Sequence, residues 1–132
     1  MTFCHKYIIF NYVLLTIGVS LKISSAKNKG RRLQQYVVSK LLEVFPEFTD
    51  KDIRSTPMGV SGDDIQLSES ASEKINLSIE CKNKEKINIW EALEQSDSDN
   101  RELTPIVVFK RNRSEVYCAL KFEDFLKYLK HE

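Results

Sequence analysis

The chain has 132 residues, enough for one domain with a single core. Its 20 Lys and Arg stand against 19 Asp and Glu, which excludes a bulk polycation; any nucleic-acid binding has to come from local basic clusters. The cysteines (Cys4, Cys81, Cys118) form no Cys-x-x-Cys pair and His5 and His131 stand near opposite ends, which is not the spacing of a zinc site.

Tyr7 to Ile23 is a nearly continuous apolar run, preceded by Lys6 and followed by the small residues Ser24-Ser25-Ala26. Three readings of it are open: a signal peptide or short membrane anchor, an over-extended start with translation beginning near Leu21, or a packed N-terminal helix. Residues 1–26 are therefore set apart as an apolar leader, and 27–132 as the domain. Lys27 to Arg32 is a basic entry to a helix. Leu33 to Phe45 has helical periodicity, with Val37, Val38, Leu41, Leu42 and Phe45 on one face and Pro46 as the stop. Gln34 falls in the middle of that apolar stripe, where a polar side chain calls for a partner or a task.

Asp52 to Thr56 is a short strand, and Asp63 to Leu67 a second, with Asp64 and Gln66 sharing a face. Ser68 to Lys74 reads as a polar turn. Ile75 to Lys82 is the clearest strand. Ile75, Leu77, Ile79 and Cys81 lie on one face; Asn76, Ser78, Glu80 and Lys82 lie on the other. Asn88 caps a helix over Ile89 to Ser98 with Ile89, Trp90 and Leu93 inward, ended by Ser96-Asp97-Ser98-Asp99-Asn100. Thr104 to Lys110 is a buried strand, Arg111 to Ser114 a hairpin-like turn, and Glu115 to Leu120 its return strand. Phe122 to His131 is an amphipathic helix with Phe122, Phe125, Leu126 and Leu129 inward. Cys81 and Cys118 read as reduced core thiols, in keeping with a reducing compartment. The order predicts an α/β domain with a central mixed sheet flanked by helices.

The residues that carry chemistry are Asp64, in Ser61-Gly62-Asp63-Asp64-Ile65, and Glu80 and Lys82, in Ile79-Glu80-Cys81-Lys82. Glu80 and Lys82 project from one strand face, and if the two strands are neighbours, Asp64 and Glu80 converge. Two carboxylates bind a hard cation such as Mg²⁺ (or Mn²⁺), which acts as Lewis acid and water activator beside a phosphodiester. A lysine there positions the water or stabilises developing charge. Asp63 points to the other side of its strand.

These residues resemble the PD-(D/E)xK nuclease superfamily. The wider pattern of Lys29-Gly30, Ile53-Arg54-Ser55, Ser61-Gly62, Asp64-Ile65 and Glu80-Cys81-Lys82 is similar to archaeal Holliday-junction resolvases and resolvase-like phage nucleases. Ile89 to Gln95 is similar to a helix of the phage-type members. The resemblance covers residues 22–132 and implies a restriction-endonuclease-like core. It also implies metal ligation by Asp64 and Glu80, catalysis by Lys82, and Mg²⁺-dependent cleavage of DNA, including branched DNA. Many members carry a Glu four residues after the Lys-Gly glycine. Here Gln34 holds that place, and the proline of the motif is replaced by Asp63.

Lys29, Arg31, Arg32, Arg54, Ser61, Lys84 and Gln95 are the expected DNA contacts, directed at backbone phosphates. A junction-cutting activity implies a homodimer. The expected location is the cytoplasm of a bacterium or phage-infected host, or a membrane or secreted location if the apolar run is genuine. The alternatives are a catalytically weakened DNA-binding relative and a membrane-tethered or secreted domain of other function.

Overall fold

A computed structural model of the chain describes residues 25–97 and 102–130. The apolar run Tyr7–Ile23 with its three readings, the helix ending at Ser98–Asn100 and the terminal His131 lie outside the described residues. No helix among the described residues is long and apolar enough to cross a membrane.

Helix α1 occupies residues 25–44, so the basic entry at 27–32 is already helical. Its apolar stripe seats Leu33 and Val37 in the core, with Val38, Leu41, Leu42 and Phe45 packed against the same cluster. Strands β1 (Ile53–Ser55) and β2 (Ile65–Leu67) pair antiparallel, with Ser55 opposite Ile65. The loop between them closes where the Thr56 N–H donates to the Asp64 carbonyl at 2.8 Å. Gly62, at φ 117°, lets the chain turn immediately before Asp63 and Asp64.

The segment expected to be a polar turn is instead helix α2 (Glu69–Ile75). Ser68 caps it by accepting the Ala71 N–H, Lys74 sits in its last turn, and Asn76 closes it in the left-handed conformation at φ 53°. Its burial rests on Ala71 and Ile75, one turn apart, which is too little apolar periodicity to stand out against three serines. Ile75 and Asn76 therefore leave the predicted strand.

Strand β3 (Leu77–Asn83) pairs parallel with β4 (Thr104–Lys110), and β4 pairs antiparallel with β5 (Tyr117–Ala119). Helix α3 (Ile89–Asp97) makes the crossover from β3 to β4, and α4 (Phe122–Leu129) follows β5. The protein is thus a small α/β domain with a mixed sheet and four helices among the described residues. Both faces of β3 are covered. Ile79 and Cys81 join the cluster under α1, and Ser78 meets α3 through a reciprocal pair: its Oγ donates to the Ser96 carbonyl at 3.3 Å, and the Ser96 Oγ donates to the Ser78 carbonyl at 3.2 Å.

Three side-chain expectations are corrected. Trp90 is 79% exposed; the buried stripe of α3 runs through Ala92 and Ser96 with Ile89 and Leu93 beside it, and at about 100° per residue Trp90 lies roughly 140° around the helix from that stripe. Cys118 is exposed because β5 is the edge strand, whereas Cys81 is buried as expected. The apolar side of α4 is only partly inward: Leu126 is half-buried, no residue of the helix is fully buried, and Phe122, Phe125 and Leu129 are exposed.

Candidate metal centre and nucleic-acid face

Asp63 and Asp64 fall outside the strand expected over Asp63–Leu67: Asp64 immediately precedes β2, whereas Glu80 lies within β3, and β2 and β3 belong to different ladders, β1–β2 and β3–β4–β5. They are joined by the first of the candidate ligands. Asp64 Oδ2 accepts the Cys81 N–H at 2.7 Å, which lays its carboxyl group against the backbone between Glu80 and Lys82. Burial pushes the Asp64 carboxyl above its usual range, opposed by the Cys81 N–H and the charge of Lys82. Cys81 is held as a thiol: burial first, then the Asp64 and Glu80 carboxylates, push its ionisation well up, so it is no nucleophile at neutral pH.

Glu80 and Lys82 share a strand face and meet at 2.7 Å (Nζ to Oε1), with side chains only 13% and 21% exposed. Lys82 Nζ also donates to Gln95 Oε1 at 3.0 Å. Gln95, expected to face substrate phosphate, bonds the lysine instead, from the position on α3 directly before Ser96. Two of the three Lys82 donors are thereby directed, which leaves one for a substrate oxygen.

Gln34 lies where helical phase predicted, half-buried, lining an open cleft of about 610 Å³ with Asp64, Lys27, Gly30 and Arg31. The loop Thr56–Val60 forms the far wall. A second cleft, about 470 Å³, holds Lys82, Lys84, Lys86, Glu91 and Gln95. The Asp64–Cys81 bond links the strand edges beside these two clefts. Asp63 lines neither: it lies in a separate cleft with Arg54, Ser61 and Gln66, which agrees with its expected direction. Gln66 thus opens into a different cleft from Asp64, against the shared face expected of them. Arg54 is engaged there, its Nε donating to Gln66 Oε1 at 3.0 Å. The structure therefore brings together Asp64, Gln34 and Arg31 in one cleft and Lys82, Lys84 and Gln95 in the other, and sets Arg54 and Ser61 apart. Arg32 is exposed and lines none of these clefts.

Asn83 is a residue that sequence reasoning missed. Its Nδ2 donates to the Lys29 carbonyl at 3.1 Å and staples α1 to the end of β3. A single Asn following Glu-x-Lys gives no signal of this. Among the described residues no group of three His, Cys, Asp or Glu side chains is placed to hold a metal ion. The candidate donors are two carboxylates, Asp64 and Glu80, the second ion-paired with Lys82, and the Gln34 amide, which lines the same cleft as Asp64. Oxygen donors of this kind fit a hard divalent cation that keeps several waters and borrows substrate oxygens. No protein-family model matches the chain, and neither does any curated protein or solved structure.

Proposed function

We propose that this chain is a divalent-metal-dependent DNA endonuclease of resolvase-like type, built on a restriction-endonuclease-like core and hydrolysing phosphodiester bonds. The observation that carries the reading is the Asp64 carboxylate on the Cys81 N–H, in the middle of Glu80-Cys81-Lys82. A buried carboxyl whose ionisation is penalised gains most from a cation beside it. Asp64 and Glu80 would hold Mg²⁺ or Mn²⁺, which when bound neutralises phosphate charge and makes water more acidic. Lys82, oriented by Glu80 and Gln95, offers its remaining donor to the scissile phosphate or to the attacking water. Lys27, Arg31 and Lys84 contribute sequence-independent attraction to the backbone. Two symmetric incisions in branched DNA would require a homodimer.

The test is incubation of the protein with Mg²⁺ or Mn²⁺ and plasmid, linear or four-way-junction DNA. Cleavage that vanishes in Asp64→Ala, Glu80→Ala and Lys82→Ala supports the assignment; undiminished cutting by all three sinks it.

A second reading, a weakened relative that binds DNA without efficient cutting, is favoured by Gln34 beside Asp64 where a carboxylate would complete the donor set. The two readings separate on Gln34→Glu. This variant should raise apparent Mg²⁺ affinity by about tenfold, the scale of one added charge interaction in a partly buried site, as read from the metal dependence of cutting or of melting temperature. An unchanged metal dependence removes Gln34 from the centre.

A further inference from the structure

The register of the three-stranded sheet places Lys82 opposite Phe109, and Phe109 opposite Tyr117. Residues directly opposite one another in a sheet project from the same face, so these three side chains form a row across the sheet. At the ordinary strand spacing the row spans about 10 Å from Lys82 to Tyr117. The two rings face each other at 6.0 Å between centroids, and Tyr117 is 55% exposed.

Around this row lies a cleft of about 330 Å³ lined by Lys84, Lys110 and Arg111 as well as Phe109 and Tyr117. Its one acidic member, Glu85, is engaged: its Oε1 accepts the Asn112 N–H at 2.8 Å, which also fixes the hairpin that carries Arg111. Lys84 and Ile87 line both this cleft and the one containing Lys82, so the two are adjacent. Exposed aromatic faces along a cationic groove are the chemistry that binds unpaired nucleic-acid strands, bases on rings and phosphates on cations.

We infer that the Phe109–Tyr117 cleft binds an unpaired strand leading away from the candidate centre, with a base stacked on Tyr117 and phosphates on Lys84, Lys110 and Arg111. The span corresponds to about three stacked nucleotides at 3.4 Å each. Resting on the nuclease reading, this names its substrate class: DNA with a duplex-to-single-strand boundary, such as a flap or tailed end.

The experiment measures anisotropy of a short labelled oligo-dT with the full chain, without divalent metal. It then compares cutting of tailed and blunt duplex with Mg²⁺. Tyr117→Ala should weaken oligo-dT binding about tenfold, Tyr117→Phe should retain it, and Arg111→Ala should weaken it and flatten its salt dependence. Tailed duplex should be cut faster than blunt duplex, and Tyr117→Ala should erase the difference. Tyr117 is largely exposed, and a melting curve unchanged by the substitution establishes that the variant folds. Oligo-dT binding indifferent to Tyr117→Ala overturns the inference, whether or not the protein cuts duplex. Tyr117-dependent binding in a protein that cuts nothing supports the cleft while overturning the nuclease reading.

Discussion

Asp64→Asn is expected to abolish cutting, by about 10²–10³-fold or more, while making the protein more stable at neutral pH. The sign follows from burial. The folded state holds a proton on Asp64 more tightly than the unfolded chain does, because burial raises the carboxyl and the Cys81 N–H and Lys82 only partly offset it. Such a group contributes fully to stability when protonated, below the ordinary aspartate value of about 3.9, and that contribution is lost as pH rises through the raised folded value. At pH 7 the ionised carboxylate therefore burdens the fold. Asparagine carries no charge, and its Oδ1 can still accept the Cys81 N–H. The melting temperature of Asp64→Asn should exceed that of the unsubstituted protein at pH 7, and the gap should close as the pH is lowered toward about 3. Added Mg²⁺ should raise the melting point of the unsubstituted protein and leave the variant unmoved. A variant that melts lower at pH 7 would show that the carboxylate is not under electrostatic stress.

Lys82→Met should behave in the opposite way, losing both activity and stability. Activity should fall by about 10²–10⁴-fold, the range for a positioned proton-transfer or charge-stabilising group. Removing the cation leaves the Glu80 carboxylate, only 13% exposed, without the charge facing it at 2.7 Å. Breaking one side of a fully buried pair costs about 3–5 kcal/mol. At this strand the remaining solvent access reduces the expected loss to about 2 kcal/mol, read from denaturant unfolding. Glu80→Gln combined with Lys82→Met should recover most of that stability and none of the cutting. If the double variant is no more stable than Lys82→Met, the pair contributes nothing to the fold.

Much of this arrangement was legible in the sequence because it depends on alternation and helical phase. Glu80 and Lys82 had to share a face, and Gln34 had to sit among Val37, Val38 and Leu41; both are found so. What the sequence could not carry are contacts set by tertiary placement. Gln95 was recognisable as a polar residue off the buried stripe of α3, but its partner, Lys82, depends on where the helix crosses the sheet. Helix α2 was hidden because its caps and serines use the residues of a turn, and only Ala71 and Ile75 mark its buried side. Trp90 misled for the converse reason. A large apolar residue argues for burial, yet the hydrogen-bonded Ser78 and Ser96 occupy the inner side of that helix instead. The aromatic row ending at Tyr117 required strand register, which no single strand reveals.

The last helix, α4, has a well-phased apolar stripe and yet no buried residue. Eight residues are too few for a helix to persist in water without tertiary support, since nucleation is costly and each added residue returns little. Its opening therefore exposes little buried surface and releases the Tyr128 side chain from its hydrogen bond to Thr104 at the start of β4. In a native-state hydrogen-exchange experiment the α4 amides should be the first helical set to lose protection. Those of β4, whose Val107 is fully buried between its neighbours, should hold until the whole domain opens.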